Sequence, residues 1–112
     1  MSTQHIPELI NDPSSGPCLN EFGISDIWVI DSYNPGDWNG IISNISLFYS
    51  DTPGYQFTLD LSNIGNVSVS YCNFQDVNVI GGIIFADETC SDLGNTSGIS
   101  WAMSNAQLTW IF

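Results

Sequence analysis

From Cys18 onward the chain sets short runs of β-branched and aromatic residues between clusters of turn-forming ones. That alternation predicts strands and no helix, because Ala, Leu and Lys at helical spacing are missing. The runs fall at about 26–31, 41–49, 55–61, 66–74, 77–86, 98–103 and 106–112. Between them stand Asn34-Pro35-Gly36-Asp37, Asp51-Thr52-Pro53-Gly54, Asn63 to Gly65 and Ser91 to Gly98, whose residue types favour turn backbone angles. Before Cys18, the prolines Pro7, Pro13 and Pro17 lie among Asn11, Asp12, Ser14, Ser15 and Gly16 and leave no run for a strand. Residues 1–17 are therefore expected to form an extended arm, and 18–112 the folded domain. The arm's apolar residues Ile6, Leu9 and Ile10 are candidates for docking or self-association.

One phrase recurs. Ile42-Ser43-Asn44-Ile45-Ser46-Leu47-Phe48-Tyr49-Ser50 matches Ile64-Gly65-Asn66-Val67-Ser68-Val69-Ser70-Tyr71-Cys72, 22 residues on, with weaker copies at Ile24–Ile30 and Ser97–Trp101. Stacked coils place equivalent residues above one another, whereas hairpin strands have no reason to repeat a phrase. The repeat therefore predicts a short right-handed parallel β-helix of three to four coils, with an antiparallel β-sandwich as the alternative. Alternation within the copies predicts Ile45, Leu47, Tyr49, Val67, Val69 and Tyr71 as core and Ser46, Ser68 and Ser70 as outward. Asn44 would stack on Asn66 as an amide ladder, and this is preferred to glycan acceptance at the Asn-x-Ser/Thr triplets of Asn44, Asn66 and Asn95. Trp28 aligns with Ser46 and Ser68, which puts it outward, either in contact with a ligand or partner or under the arm.

The run Tyr71-Cys72-Asn73-Phe74-Gln75-Asp76-Val77-Asn78-Val79-Ile80-Gly81-Gly82-Ile83-Ile84-Phe85 resembles coils of right-handed parallel β-helix surface proteins, including polymorphic outer-membrane-type adhesins. In those coils a Phe soon after an Asn or Cys leads to Gly-Gly-Ala-Ile. Here the end is Gly81-Gly82-Ile83-Ile84, and the Phe-x-x-Asn element is Phe74-Gln75-Asp76-Val77, without its Asn. Virus tail spikes and fibres carry similar coils. The likeness spans about residues 24–101 and implies the fold more than any one activity.

Charge narrows the function classes. Twelve Asp and Glu stand against no Lys or Arg, a formal charge of −12. Nucleic acid needs cations to displace its counterions, so it is excluded as a partner, and docking on anionic membranes is disfavoured. No apolar run has the length of a spanning helix, and the opening Met-Ser-Thr-Gln-His-Ile-Pro lacks a secretory signal's basic start and apolar core. Cys18, Cys72 and Cys90 cannot all pair within one chain. Cys72 and Cys90 form a possible disulfide if adjacent coils bring them together; otherwise all three are small buried hydrophobes.

Candidate chemistry is thin. His5, the only His, sits in the arm, a poor place for a triad or a zinc ligand. Polysaccharide cleavage needs two carboxyl groups at a set separation, and Asp51, Asp60, Asp76, Asp87, Glu88 and Asp92 read better as a solvated acidic surface. Asp87, Glu88 and Asp92 offer a weak calcium site, short of the six oxygens calcium takes. No cofactor and no catalytic residue is assigned. The expectation is a non-enzymatic, self-associating structural protein of an extracellular assembly or virion surface, joined through Ile6, Leu9 and Ile10 or through Trp110, Ile111 and Phe112. The alternative is a glycan- or receptor-binding adhesin or tail-fibre module using Trp28 and Trp38 for stacking.

Overall fold

The structure, a computed structural model, describes residues 2–102. It is all-β, with twelve strands among the described residues: β1 (Ser2–Glu8), β2 (Cys18–Phe22), β3 (Asp26–Ser32), β4 (Ser46–Ser50), β5 (Phe57–Asp60), β6 (Val67–Val69), β7 (Cys72–Phe74), β8 (Val77–Ile80), β9 (Ile84–Ala86), β10 (Ser91–Asp92), β11 (Thr96–Ser97) and β12 (Ile99–Trp101). They form three sheets, β1-β3-β5-β8-β11 (sheet I), β2-β4-β7-β10 (sheet II) and β6-β9-β12 (sheet III). Every strand pair is parallel, so the antiparallel sandwich is ruled out. From β5 on, the chain visits sheets I, III and II in that order and then starts again.

Backbone bends make this path possible. The expected strands 66–74 and 77–86 are each two strands split by a corner, at Tyr71 (φ 54°) and Gly81 (φ 74°). A Cβ on Gly81 would lie 2.5 Å from Asp60 Oδ1 and 2.6 Å from the Ser62 nitrogen, so the corner needs glycine for both angle and space. The corners after β7 and β10 use Asp76 and Asn95, both near φ 56°, residue types that tolerate the left-handed region. Asp76 is buried, and its carboxylate accepts from Gly54 N (2.9 Å) and Asn95 Nδ2 (2.9 Å), tying three successive corners together.

The core runs up the middle as an aromatic spine. Phe48 stacks on Phe74 at 4.8 Å and Phe22 on Phe57 at 4.6 Å, while Trp38 and Trp101 meet the two ends of the Phe48–Phe74 pair. Phe57, Leu59, Leu61, Val67, Val77 and Ile84 fill the remainder, all fully buried.

The structure departs from several expectations. The 22-residue phrase is not the stacking register: Ser46 pairs with Cys72 and Phe48 with Phe74, a 26-residue step, because 42–50 runs into sheet II whereas 64–69 lies in sheet III. The core face of β4 is consequently inverted, with Ser46, Phe48 and Ser50 buried and Leu47 and Tyr49 half-buried. No Asn ladder forms; Asn44 Nδ2 donates to Pro13 O (2.7 Å) and Asn66 Oδ1 accepts from Ile83 N (3.0 Å). Residues 2–8, expected to hold no strand, pair with β3 as the outermost strand of sheet I, an edge position where a proline such as Pro7 is tolerated.

Candidate functional site

The sequence-expected contact residues are mostly spent on the core. Trp28 pairs with the buried Leu59 and faces inward, its Nε1 donating to Gly23 O (2.9 Å) and its ring edge-on to Phe22 at 5.7 Å. Its outward assignment failed because Trp28 lies in sheet I, whereas of its two supposed equivalents the buried Ser46 lies in sheet II and the exposed Ser68 in sheet III. Trp38 is fully buried and has no surface for stacking. Leu9 is buried in the protein's own core and Ile6 packs against it, whereas Ile10 stays 65% exposed. Trp110, Ile111 and Phe112 lie outside the described residues. His5 Nδ1 sits 2.9 Å from Asp31 Oδ1 on the surface.

Trp38 matters differently: it pins a loop that builds a cleft. Residues 33–40 leave β3, turn at Asn34–Asp37 with Asp37 N donating to Asn34 O (3.0 Å), and drive the Trp38 ring between Tyr33 and Phe48. Tyr33 Oη donates to Ser68 O (2.9 Å), Asn39 Oδ1 accepts from Ser70 N (2.9 Å) and Gly40 N donates to Ser70 O (3.2 Å). Gly40 passes so close to the main chain that a Cβ would fall 2.4 Å from Tyr71 O. The loop thus stands as a wall beside β6.

The floor is the outward face of sheet III. Ser68, Phe85 and Ser100 are register partners across β6, β9 and β12 and form one column. Ser70, Asp87 and Ala102 line the same space beside it, and with Pro35, Gly36 and Asn39 of the loop they enclose a cleft of about 470 Å³. Phe85 is 42% exposed, an aromatic face flanked by hydroxyls.

Asp87 supplies the cleft's carboxylate. Burial pushes its carboxyl upward, but hydrogen bonds from the Ser70 and Thr89 hydroxyls and from Thr89 N (2.9 Å) outweigh it and hold the group below the ordinary carboxylate value. At neutral pH it is an ionised acceptor and not a proton donor. Thr89 Oγ1 in turn accepts from Tyr71 N (2.7 Å), so the acid is locked into the corner between β6 and β7. Asp92 Oδ1 accepts from Gly94 N and Thr96 Oγ1, and no three His, Cys, Asp or Glu side chains gather among the described residues. No described helix is long and apolar enough to cross a membrane.

None of the cleft is legible in the sequence. Asn34-Pro35-Gly36-Asp37 reads only as a turn, and nothing local indicates that it will lie against residues more than thirty positions later. Comparisons with protein-family models, with curated proteins and with solved structures find no match.

Proposed function

We propose that the chain is a short parallel β-helix module of an extracellular or virion-surface protein that binds a neutral glycan without chemistry, in the cleft between residues 33–40 and sheet III. The carrying observation is the lining. A half-exposed Phe85 ring stands among Ser68, Ser70, Ser100 and Asn39, with Asp87 as the acidic group. A pyranose presents an apolar C–H face to such a ring and hydroxyls to such polar groups. A chain with no Lys or Arg and a charge of −12 repels acidic sugars. Cleavage by paired carboxylates would need a second acid opposite Asp87, and the other lining residues are not acids. Cyclic passage through three parallel sheets supports the β-helix reading.

A glycan array with the full chain tests this. Neutral oligosaccharides are expected to bind, sialylated and sulfated ones to fail, and Phe85→Ala to weaken binding roughly two- to twelvefold, the equivalent of one lost stacking contact. Binding that survives Phe85→Ala, or that is confined to charged glycans or basic peptides, would reject the cleft as the site.

Self-association is a second reading, favoured by exposed aliphatic residues around the start of β2. Ile10, Leu19 and Ile42 are 65%, 66% and 81% exposed; the segments of Ile10 and Ile42 are joined where Asn44 Nδ2 donates to Pro13 O, and Leu19 lies on β2 beside Leu47. Light scattering coupled to size exclusion decides it: an oligomer that Ile42→Asp dissolves supports the contact, and a monomer at high concentration removes it.

A further inference from the structure

We infer that Cys72 and Cys90 are a disulfide-forming pair that closes between two successive strands of sheet II, with Cys90 the attacking thiol and Cys72 the resolving one. Asn73 pairs with Ser91 and Phe74 with Asp92 in parallel, so the register carried back one residue sets Cys72 beside Cys90. Neighbouring strands lie about 4.8 Å apart, inside the roughly 4.4–6.8 Å that a disulfide spans between Cα atoms. Both side chains point inward: Cys72 is fully buried with its thiol donating to Trp38 O (3.2 Å), and Cys90 is half-buried near Val69 O (3.6 Å). Cys18 stands in the same column, but Ser46 separates it from Cys72. Two strand spacings, roughly 9.6 Å, put it beyond reach of either partner. Of the three pairings that three cysteines allow, the register permits one.

The order of attack follows from access and charge. An incoming small disulfide meets Cys90 before the fully buried Cys72. The neighbouring thiol lowers the Cys90 thiol from its ordinary value and, with burial, raises that of Cys72, which favours Cys90 as the thiolate. With oxidised glutathione as oxidant, the Cys90 thiolate attacks one glutathione sulfur, forming a mixed disulfide and releasing a glutathione thiolate. Cys72 then gives its proton to that thiolate and attacks the Cys90 sulfur, expelling the second glutathione. Two protein thiols are oxidised to one disulfide, and one glutathione disulfide is reduced to two thiols. The bond would tie β7 to the Asp87–Cys90 turn at one end of the cleft. It does not rest on glycan binding.

The test is intact mass and a non-reducing peptide map of the folded full chain after incubation in oxidised glutathione, cut with chymotrypsin because trypsin has no sites. Cys18→Ser should lose the mass of two hydrogens and yield Cys72 joined to Cys90. Cys72→Ser should stop as a glutathione adduct on Cys90, and Cys90→Ser should gain no adduct on Cys72. Closure should raise Tm by about 10 °C, given the chain segment it restrains. Wild-type protein, which needs no variant to fold, gives the same peptide map. Cys18 in the crosslink, or two thiols left free while the chain stays folded, would overturn the inference.

Discussion

Phe48 lies flat on Phe74, with ring centroids 4.8 Å apart and planes 17° from parallel. The two are register partners across β4 and β7, and both are fully buried. Like residues stack here because parallel strands in register leave each side chain directly over its counterpart, so one ring's shape sets its neighbour's. Phe48→Ala should cost about 3–5 kcal/mol in urea unfolding, the range for emptying a ring from a packed core. A double-mutant cycle with Phe74→Ala should show coupling of about 0.5–1.5 kcal/mol beyond the lost burial.

Ser46 makes the opposite case. Its Oγ is buried without a hydrogen-bond partner, in the column between Cys18 and Cys72. A buried hydroxyl left unpaired costs about 1–3 kcal/mol. Ser46→Ala should therefore be stabilising by up to about 1 kcal/mol once the small void is subtracted, and Ser46→Cys should fill the same space without the polar penalty. Denaturant midpoints decide this, and a loss of stability in both variants would contradict it.

Asp87 sets a pH dependence of defined sign. Its carboxyl titrates below the ordinary value of 3.8 in the folded chain, because Ser70 and Thr89 donate to the ionised form. The stability this provides is complete above that ordinary value and is lost as pH falls through the lower folded one. Wild type should exceed Asp87→Asn in stability from pH 7 down to about 4, and the gap should close below that. The variant carries −11 against the wild type's −12, so global charge relief on acidification is nearly the same in both and largely cancels in the difference.

Glycine positions should separate sharply. Gly81→Ala would set a Cβ against the Asp60 carboxylate and the Ser62 main chain at positive φ, costing at least about 2 kcal/mol from the backbone strain and the clash together. Gly16 has nothing within 4 Å of a new Cβ and ordinary backbone angles. Gly16→Ala should be neutral, or stabilise by up to about 1 kcal/mol through the unfolded state. Thermal melts of the two variants check this.

How much of this was legible depends on whether the determining contact is local. β3 and β5 are visible in the chain, because β-branched and aromatic residues there are bounded by turn signals. The corner at Tyr71 is not, since a tyrosine near φ 54° is held there by Thr89 Oγ1 from the next strand layer. Pro7 reads as a breaker until the structure puts it in an edge strand. The repeat of Ile, Asn, Ser and Tyr is real in the sequence, yet its copies fall on different sheets, so it misplaced the Ser46 face and Trp28 together. The cleft depends on Trp38 carrying its loop to Ser68 and Ser70, a long-range contact with no local signature.

Because each strand bonds only to the strand before and after it in its own sheet, length is an adjustable property of this fold. An in-frame duplication of residues 57–76 would supply one more strand to each of the three sheets and create one new strand pairing in each. The added strands would extend each sheet by about 4.8 Å.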